Sequence, residues 1–180
     1  METLLTGAGS FIWPLGACSL LSGFLIVERA LALRTDRVIP PEVFAAALRG
    51  DAGSVQGDSA ASRLVACWRS GSSGETLKAF ARAEVVRLQR GLHLLDSVVA
   101  AAPLLGLLGT VAGLAALFPA QGVPDQATLT RGVGLALSTT MLGLFIAIPS
   151  LVAANWLHRR LEVLSSRLEV LVESLESARR

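Results

Sequence analysis

Charge is scarce in this sequence and unevenly placed. Asp, Glu, Lys and Arg make up 17% of its 180 residues, where a soluble domain carries about 25%, and long stretches hold none. Two cysteines do not build a disulfide framework. Cys18 lies in an apolar run and Cys67 in a polar segment, and both read as small, inert packing residues. The 16 basic and 14 acidic residues leave a net charge of +2 with no basic stripe, so no nucleic-acid partner is expected. His93 and His158 are single histidines near the ends of apolar runs. No metal or nucleophile grouping forms, so neither an enzyme nor a cofactor is expected.

What is present is hydrophobic: 52% of residues, with a mean hydropathy of +0.58. A bilayer core requires roughly 20 apolar residues in a helix, and three windows qualify. These are 11–33, 97–118 and 132–157, the last two free of charge throughout. The fold class is therefore an all-α membrane protein with three transmembrane helices. No basic residue precedes the first window, no small-residue cleavage site follows its uncharged part, 11–27, and Glu28, Arg29 and Arg34 come after that part. It reads as a retained span, not a leader. Trp13 and Trp156 suit the interfaces, with a place in the bundle core as the alternative. Asp96 reads as an interfacial acid, or more sharply as a proton entry group.

Basic residues set the orientation. Of the 16, Arg131 alone lies before the first span or between the second and third. Lys and Arg are retained on the cytoplasmic side. Residues 1–10 and the loop 119–131 are expected outside, and 34–96 and 158–180 inside. Pro40-Pro41-Glu42 reads as a helix start, Gly50 as its stop, and Gly53–Ser59 and Ser70–Gly74 as breakers. From Glu75 onward, Leu77, Phe80, Ala81, Val85, Leu88, Leu92 and Leu95 repeat at three and four. With nothing interrupting before Pro103, the second span is expected to begin as a long cytoplasmic helix. Leu161, Leu164, Leu168, Leu171 and Leu175 extend the third span likewise. That stripe should pack on copies of itself or on the second long helix, a solvated single helix being the alternative.

Within the spans, small residues fall on one face. Ala102, Gly106, Gly109, Gly113 and Ala116 form one series, and Gly132, Ala136, Thr140, Gly143, Ala147, Ser150 and Ala154 the other. Such faces let membrane helices approach closely. Thr110 and the run Ser138-Thr139-Thr140 put four hydroxyls at comparable depth. Each could bond to its own helix, or together they could line a polar path, with Pro103 and Pro149 loosening a turn near its ends. No span interior holds an Asp, Glu, Lys, Arg or His. Hydroxyls do not titrate near neutral pH, so if protons cross here another chain must bring the ionisable group.

Three places resemble the MotA/TolQ/ExbB proton-channel family, within it the ExbB/TolQ branch. Residues 102–113, Ala-Pro-Leu-Leu-Gly-Leu-Leu-Gly-Thr-Val-Ala-Gly, are similar to its second-span signature. Residues 136–144 with Ala147-Ile148-Pro149 and Asn155 are similar to its third-span signature, and Glu28-Arg29 to its Glu-Arg pair. Pro41, Phe44, Leu48 and Gly50 fit its cytoplasmic start. The resemblance implies a proton-driven motor in the bacterial inner membrane. Five copies would surround two copies of a single-span ExbD/TolR-like partner, whose membrane Asp exchanges protons beside Thr110 and Thr140. That partner's periplasmic domain would act on TonB- or TolA-like proteins.

Three departures stand out. Leu135 occupies a position where many members carry Glu, Ala154 stands where an aromatic often precedes the Asn, and 34–96 is shorter than usual. Two alternatives remain open: a non-conducting membrane scaffold, and a related motor coupled to gliding or motility.

Overall fold

A computed structural model of the chain describes residues 11–49, 57–117 and 125–178, which are helical apart from short turns. The helices are α1 (Ile12–Ala32), α2 (Thr35–Val38), α3 (Pro41–Leu48), α4 (Ala60–Arg69), α5 (Gly74–Gln89), α6 (Leu92–Ala115) and α7 (Gln126–Ser177). Among the described residues, three helical stretches are long and apolar enough to cross a membrane. Part of the expected 97–118 span lies in α6, with a turn at residues 116–117. Helix α7 starts at Gln126, so the second half of the expected 119–131 loop is helical. Residues 1–10, Gly50 and most of the Gly53–Ser59 breaker fall outside the described residues. Helix α7 runs through Pro149 for 52 residues, as membrane helices can where neighbouring groups re-satisfy the freed backbone carbonyl.

The run expected to continue unbroken from Glu75 to Pro103 is interrupted once, at Arg90-Gly91. Gly91 has φ +87°, a left-handed conformation that residues with a Cβ resist. Arg29 closes the same spot, because a Cβ on Gly91 would lie 2.9 Å from its Nε and 3.1 Å from its Cζ. Gly91→Ala is therefore expected to destabilise the fold by about 1–3 kcal/mol, read as a lower thermal midpoint in detergent. An unchanged midpoint would refute this account of the turn.

The contacts divide the chain into two compact units, Met1–Ile26 with His93–Ala154 and Val27–Leu92 with Asn155–Arg180. In the second, polar unit, α4 and α5 start on serine caps. The Ser59 and Ser73 hydroxyls accept from the backbone N–H of Ser62 and Thr76 at 3.1 and 3.3 Å. Leu161, Leu164, Leu168, Leu171 and Leu175 are all 6% exposed or less. The α7 tail is thus packed inside its own chain, not solvated alone, and Lys78 of α5 pairs with Glu176 of α7 at 3.2 Å. Arg63 of α4 grips the buried Glu84 of α5 with two nitrogens, at 3.0 and 2.7 Å. The Glu84 hydrogen bond raises the Arg63 pKa above its already high value, against a smaller opposing effect of burial. Arg63 therefore stays protonated at any accessible pH.

The first unit is apolar and only lightly self-buried. The most apolar windows of the three spanning stretches are 17%, 28% and 33% buried inside the chain. Trp13 is 81% exposed, and Trp156, in the other unit, carries Arg160 at 5.0 Å from its ring centroid. Neither indole belongs to the core of its own chain.

Candidate functional site

Helices α6 and α7 meet along their small faces in the apolar unit. A Cβ on Gly106 would lie 2.8 Å from the Thr139 carbonyl oxygen, and one on Gly143 would lie 2.6 Å from that of Ala102. Ala136 fills the space opposite Gly113, its Cβ 3.2 Å from the ideal position. Backbone therefore touches backbone, an approach that membrane helices reach only where side chains are absent or small. Ala102, Ala136 and Ala147 on these helices are buried.

That approach brings three threonines together. Thr110 Oγ1 lies 2.5 Å from Thr140 Oγ1 and 3.2 Å from Thr139 Oγ1. It donates to the Ala136 carbonyl at 2.9 Å across the interface, or to its own Gly106 carbonyl at 3.2 Å. Thr139 reaches the Ala136 and Gly106 carbonyls at 2.7 and 3.0 Å, and Thr140 reaches Gly106 at 3.2 Å. Three hydroxyl protons thus share five oxygens, two of them main-chain carbonyls. Each hydroxyl has one donor and two acceptor lone pairs, so every proton is satisfied while lone pairs remain. Thr110 and Thr139 are buried, whereas Thr140 is half-buried and forms the accessible edge.

Ser138, grouped with these residues by sequence, is not joined to them. It donates to the Leu135 carbonyl one turn back at 2.6 Å, the self-satisfied arrangement open to any helical hydroxyl. Leu135 is itself half-buried. Ser150 donates to the Ile146 carbonyl at 2.7 Å. Pro103 is half-buried, and Pro149 and Asn155 are exposed. Glu28 and Arg29 bond each other, with Nε to Oε2 at 2.9 Å, and Arg29 covers Gly91 as described.

Sequence alone does not reveal the Gly106 and Ala136 carbonyls as members of the cluster. Thr139, three residues after Ala136, was the available signal, since i−3 back-bonding points its hydroxyl at that carbonyl. What the cluster can do follows from its composition. It can donate to, or accept from, a polar group arriving beside Thr140, and it cannot itself hold a charge at neutral pH.

The profile of the MotA/TolQ/ExbB proton channel family matches residues 43–170. Biopolymer transport protein ExbB of Helicobacter pylori strain J99 is 41% identical over 87 residues, covering 47% of this chain and 60% of that protein. Its namesake in Neisseria gonorrhoeae is 36% identical over 92 residues, 49% of this chain and 42% of the relative. A putative ExbB-like 1 protein of Synechocystis is 44% identical over 78 residues, 40% of this chain and 31% of the relative. The matches therefore span less than two thirds of each relative's length.

Proposed function

The chain belongs to the MotA/TolQ/ExbB proton channel family, and from that premise we propose that it is the membrane subunit of a motor driven by the proton-motive force. It works in the bacterial inner membrane as one of several copies, five by family resemblance, around an ExbD/TolR-like single-span partner. The partner's carboxyl comes to rest beside Thr140 and exchanges its proton there, and its motion is passed to TonB- or TolA-like proteins. The observation that carries this is the Thr110–Thr139–Thr140 cluster, polar and accessible at one edge, in spans with no ionisable interior residue. An isolated hydroxyl would have no such meaning. One charge crossing 100 mV releases about 2.3 kcal/mol, enough to bias a helix between two positions. The distribution of the 16 cations supports an N-terminus outside the cytoplasm and a C-terminus within it.

Proton flux into vesicles tests the proposal. The chain alone, reconstituted with a trapped pH dye, is expected to leave an imposed pH gradient standing. Co-insertion of a single-span protein of the ExbD/TolR kind should collapse it, and Asp→Asn in that protein's membrane helix should prevent the collapse. Flux through the chain alone would overturn the need for a companion acid. A gradient unaffected by the partner would favour the scaffold reading, for which Leu135 is the motivating residue.

A further inference from the structure

The residue just before α1 reaches the seam between α6 and α7. A Cβ on Gly109 would lie 3.0 Å from Thr139 Oγ1 and 3.3 Å from Phe11 Cγ. One point beside Gly109 is therefore bordered by a hydroxyl of the threonine cluster and by an aromatic ring. For Gly106 and Gly113, on the same face to either side, the atoms nearest such a Cβ all belong to α7. Gly109, with no side chain of its own, is where the ring enters the seam.

The periodicity of α1 holds the ring in that place. Phe11, Leu15, Cys18, Ser22 and Leu25 follow one another by four, three, four and three, which keeps to one face at 3.6 residues per turn. Leu15, Ser22 and Leu25 are buried, and Phe11 and Cys18 half-buried. Trp13, Leu20 and Phe24, on other sides of the helix, are exposed. The apolar run begins at Phe11, so the ring stands at the expected boundary between membrane and water. Water reaching Thr139 there would bond the hydroxyls and compete with any polar group arriving at Thr140. A phenyl ring offers neither a donor nor an acceptor for such bonds.

We propose that Phe11 seals the threonine cluster against water on its α1 side, leaving Thr140 as the edge through which a polar group reaches it. Phe11 acts through Thr139 and touches no transferred proton, so it is a positioning residue. The seal stands on the contacts around Gly109. Its use, keeping the hydroxyls for a partner's carboxyl, rests on the function proposed above. Exclusion of water also strengthens the hydrogen bonds made inside the cluster, because the local dielectric is low.

Thiol labelling of the full chain in membranes tests the seal, with Cys18→Ser and Cys67→Ser as background. Thr140→Cys should react with a small charged thiol reagent. Thr139→Cys should react about tenfold more slowly, since a buried group is reached only through local opening. Phe11→Ala should remove that protection, and Phe11→Leu, which refills the space with apolar atoms, should keep it. Leu25→Ala controls for general loosening. It empties a buried position on the same face of α1, about 21 Å further along the helix, and should leave Thr139→Cys protected. Partner-dependent proton flux in vesicles should fall in Phe11→Ala and return in Phe11→Leu. Equal labelling of Thr139→Cys with and without the ring, or unmasking by Leu25→Ala as well, overturns the seal and leaves the motor reading standing. Unmasking by Phe11→Ala with undiminished flux overturns the use assigned to it. A chain that is unmasked as expected, yet carries no flux with the partner even when Phe11 is present, overturns the motor reading and leaves the seal.

Discussion

Thr110→Val is expected to abolish proton-coupled work while leaving the subunit folded and assembled. The substitution is near-isosteric, but it removes the hydroxyl that lies 2.5 Å from Thr140, 3.2 Å from Thr139 and 2.9 Å from the Ala136 carbonyl. Interhelical hydrogen bonds in membranes contribute about 0.6 kcal/mol on average, so the fold should lose about 1 kcal/mol. Proton transfer is affected far more, because a positioned donor or acceptor contributes about 10²–10⁴ in rate. Thr140→Val should lose a similar factor, as it removes the accessible edge of the cluster. Ser138→Ala is the internal control: among the described residues its hydroxyl bonds the Leu135 carbonyl and not the cluster, so flux should stay close to that of the unaltered chain. Flux measured in vesicles, beside assembly measured in detergent, decides the matter. Normal flux in both valine variants, or an equal loss in Ser138→Ala, would dismiss the cluster as the working site.

Gly143→Ala and Gly106→Ala should cause the largest structural effects available from a single methyl group. The added carbon would sit 2.6 Å from the Ala102 carbonyl oxygen in the first case and 2.8 Å from that of Thr139 in the second. Neither neighbour can rotate away, since both are helix backbone. The helices must part, at a cost of about 1–3 kcal/mol for overpacking, and the cross-interface hydroxyl contacts lengthen with them. Both variants are expected to lower the thermal midpoint and to lose proton flux together, whereas Thr110→Val separates the two. Gly134→Ala supplies the contrast, because a Cβ there meets nothing within 4 Å. Should Gly143→Ala and Gly134→Ala behave alike, the close approach of α6 and α7 would not be what sets the site.

The spans were legible because length and the absence of charge are sums over many residues, and no tertiary contact revises them. The α6–α7 face was legible too, since a spacing of four and three returns to one side of a helix whatever its neighbour does. Membership of the cluster was not. Adjacent Ser138 and Thr139 differ by about 100° around α7 at 3.6 residues per turn, and only a known partner helix tells which of them points across. Gly91 was passed over for a related reason. Glycine inside an apolar repeat is tolerated in a helix, and the Arg29 side chain that lies over Gly91 is remote in sequence. Arg63 and Glu84 are 21 positions apart on helices separated by a turn, so local periodicity carried no trace of their pairing.

The shared protons of the threonine cluster have a directional consequence. If Thr140 donates to Thr110 and Thr110 to the Ala136 carbonyl, Thr140 turns only lone pairs outward. If Thr110 donates to Thr140 instead, with Thr139 on a carbonyl, Thr140 is free to offer its hydrogen. Switching requires two O–H rotations and displaces no heavy atom. A neutral carboxylic acid asks its host for an acceptor and a carboxylate asks for a donor. On the function proposed above, the same pocket edge would offer a companion acid an acceptor before it gives up its proton and a donor afterwards, with no heavy atom moved.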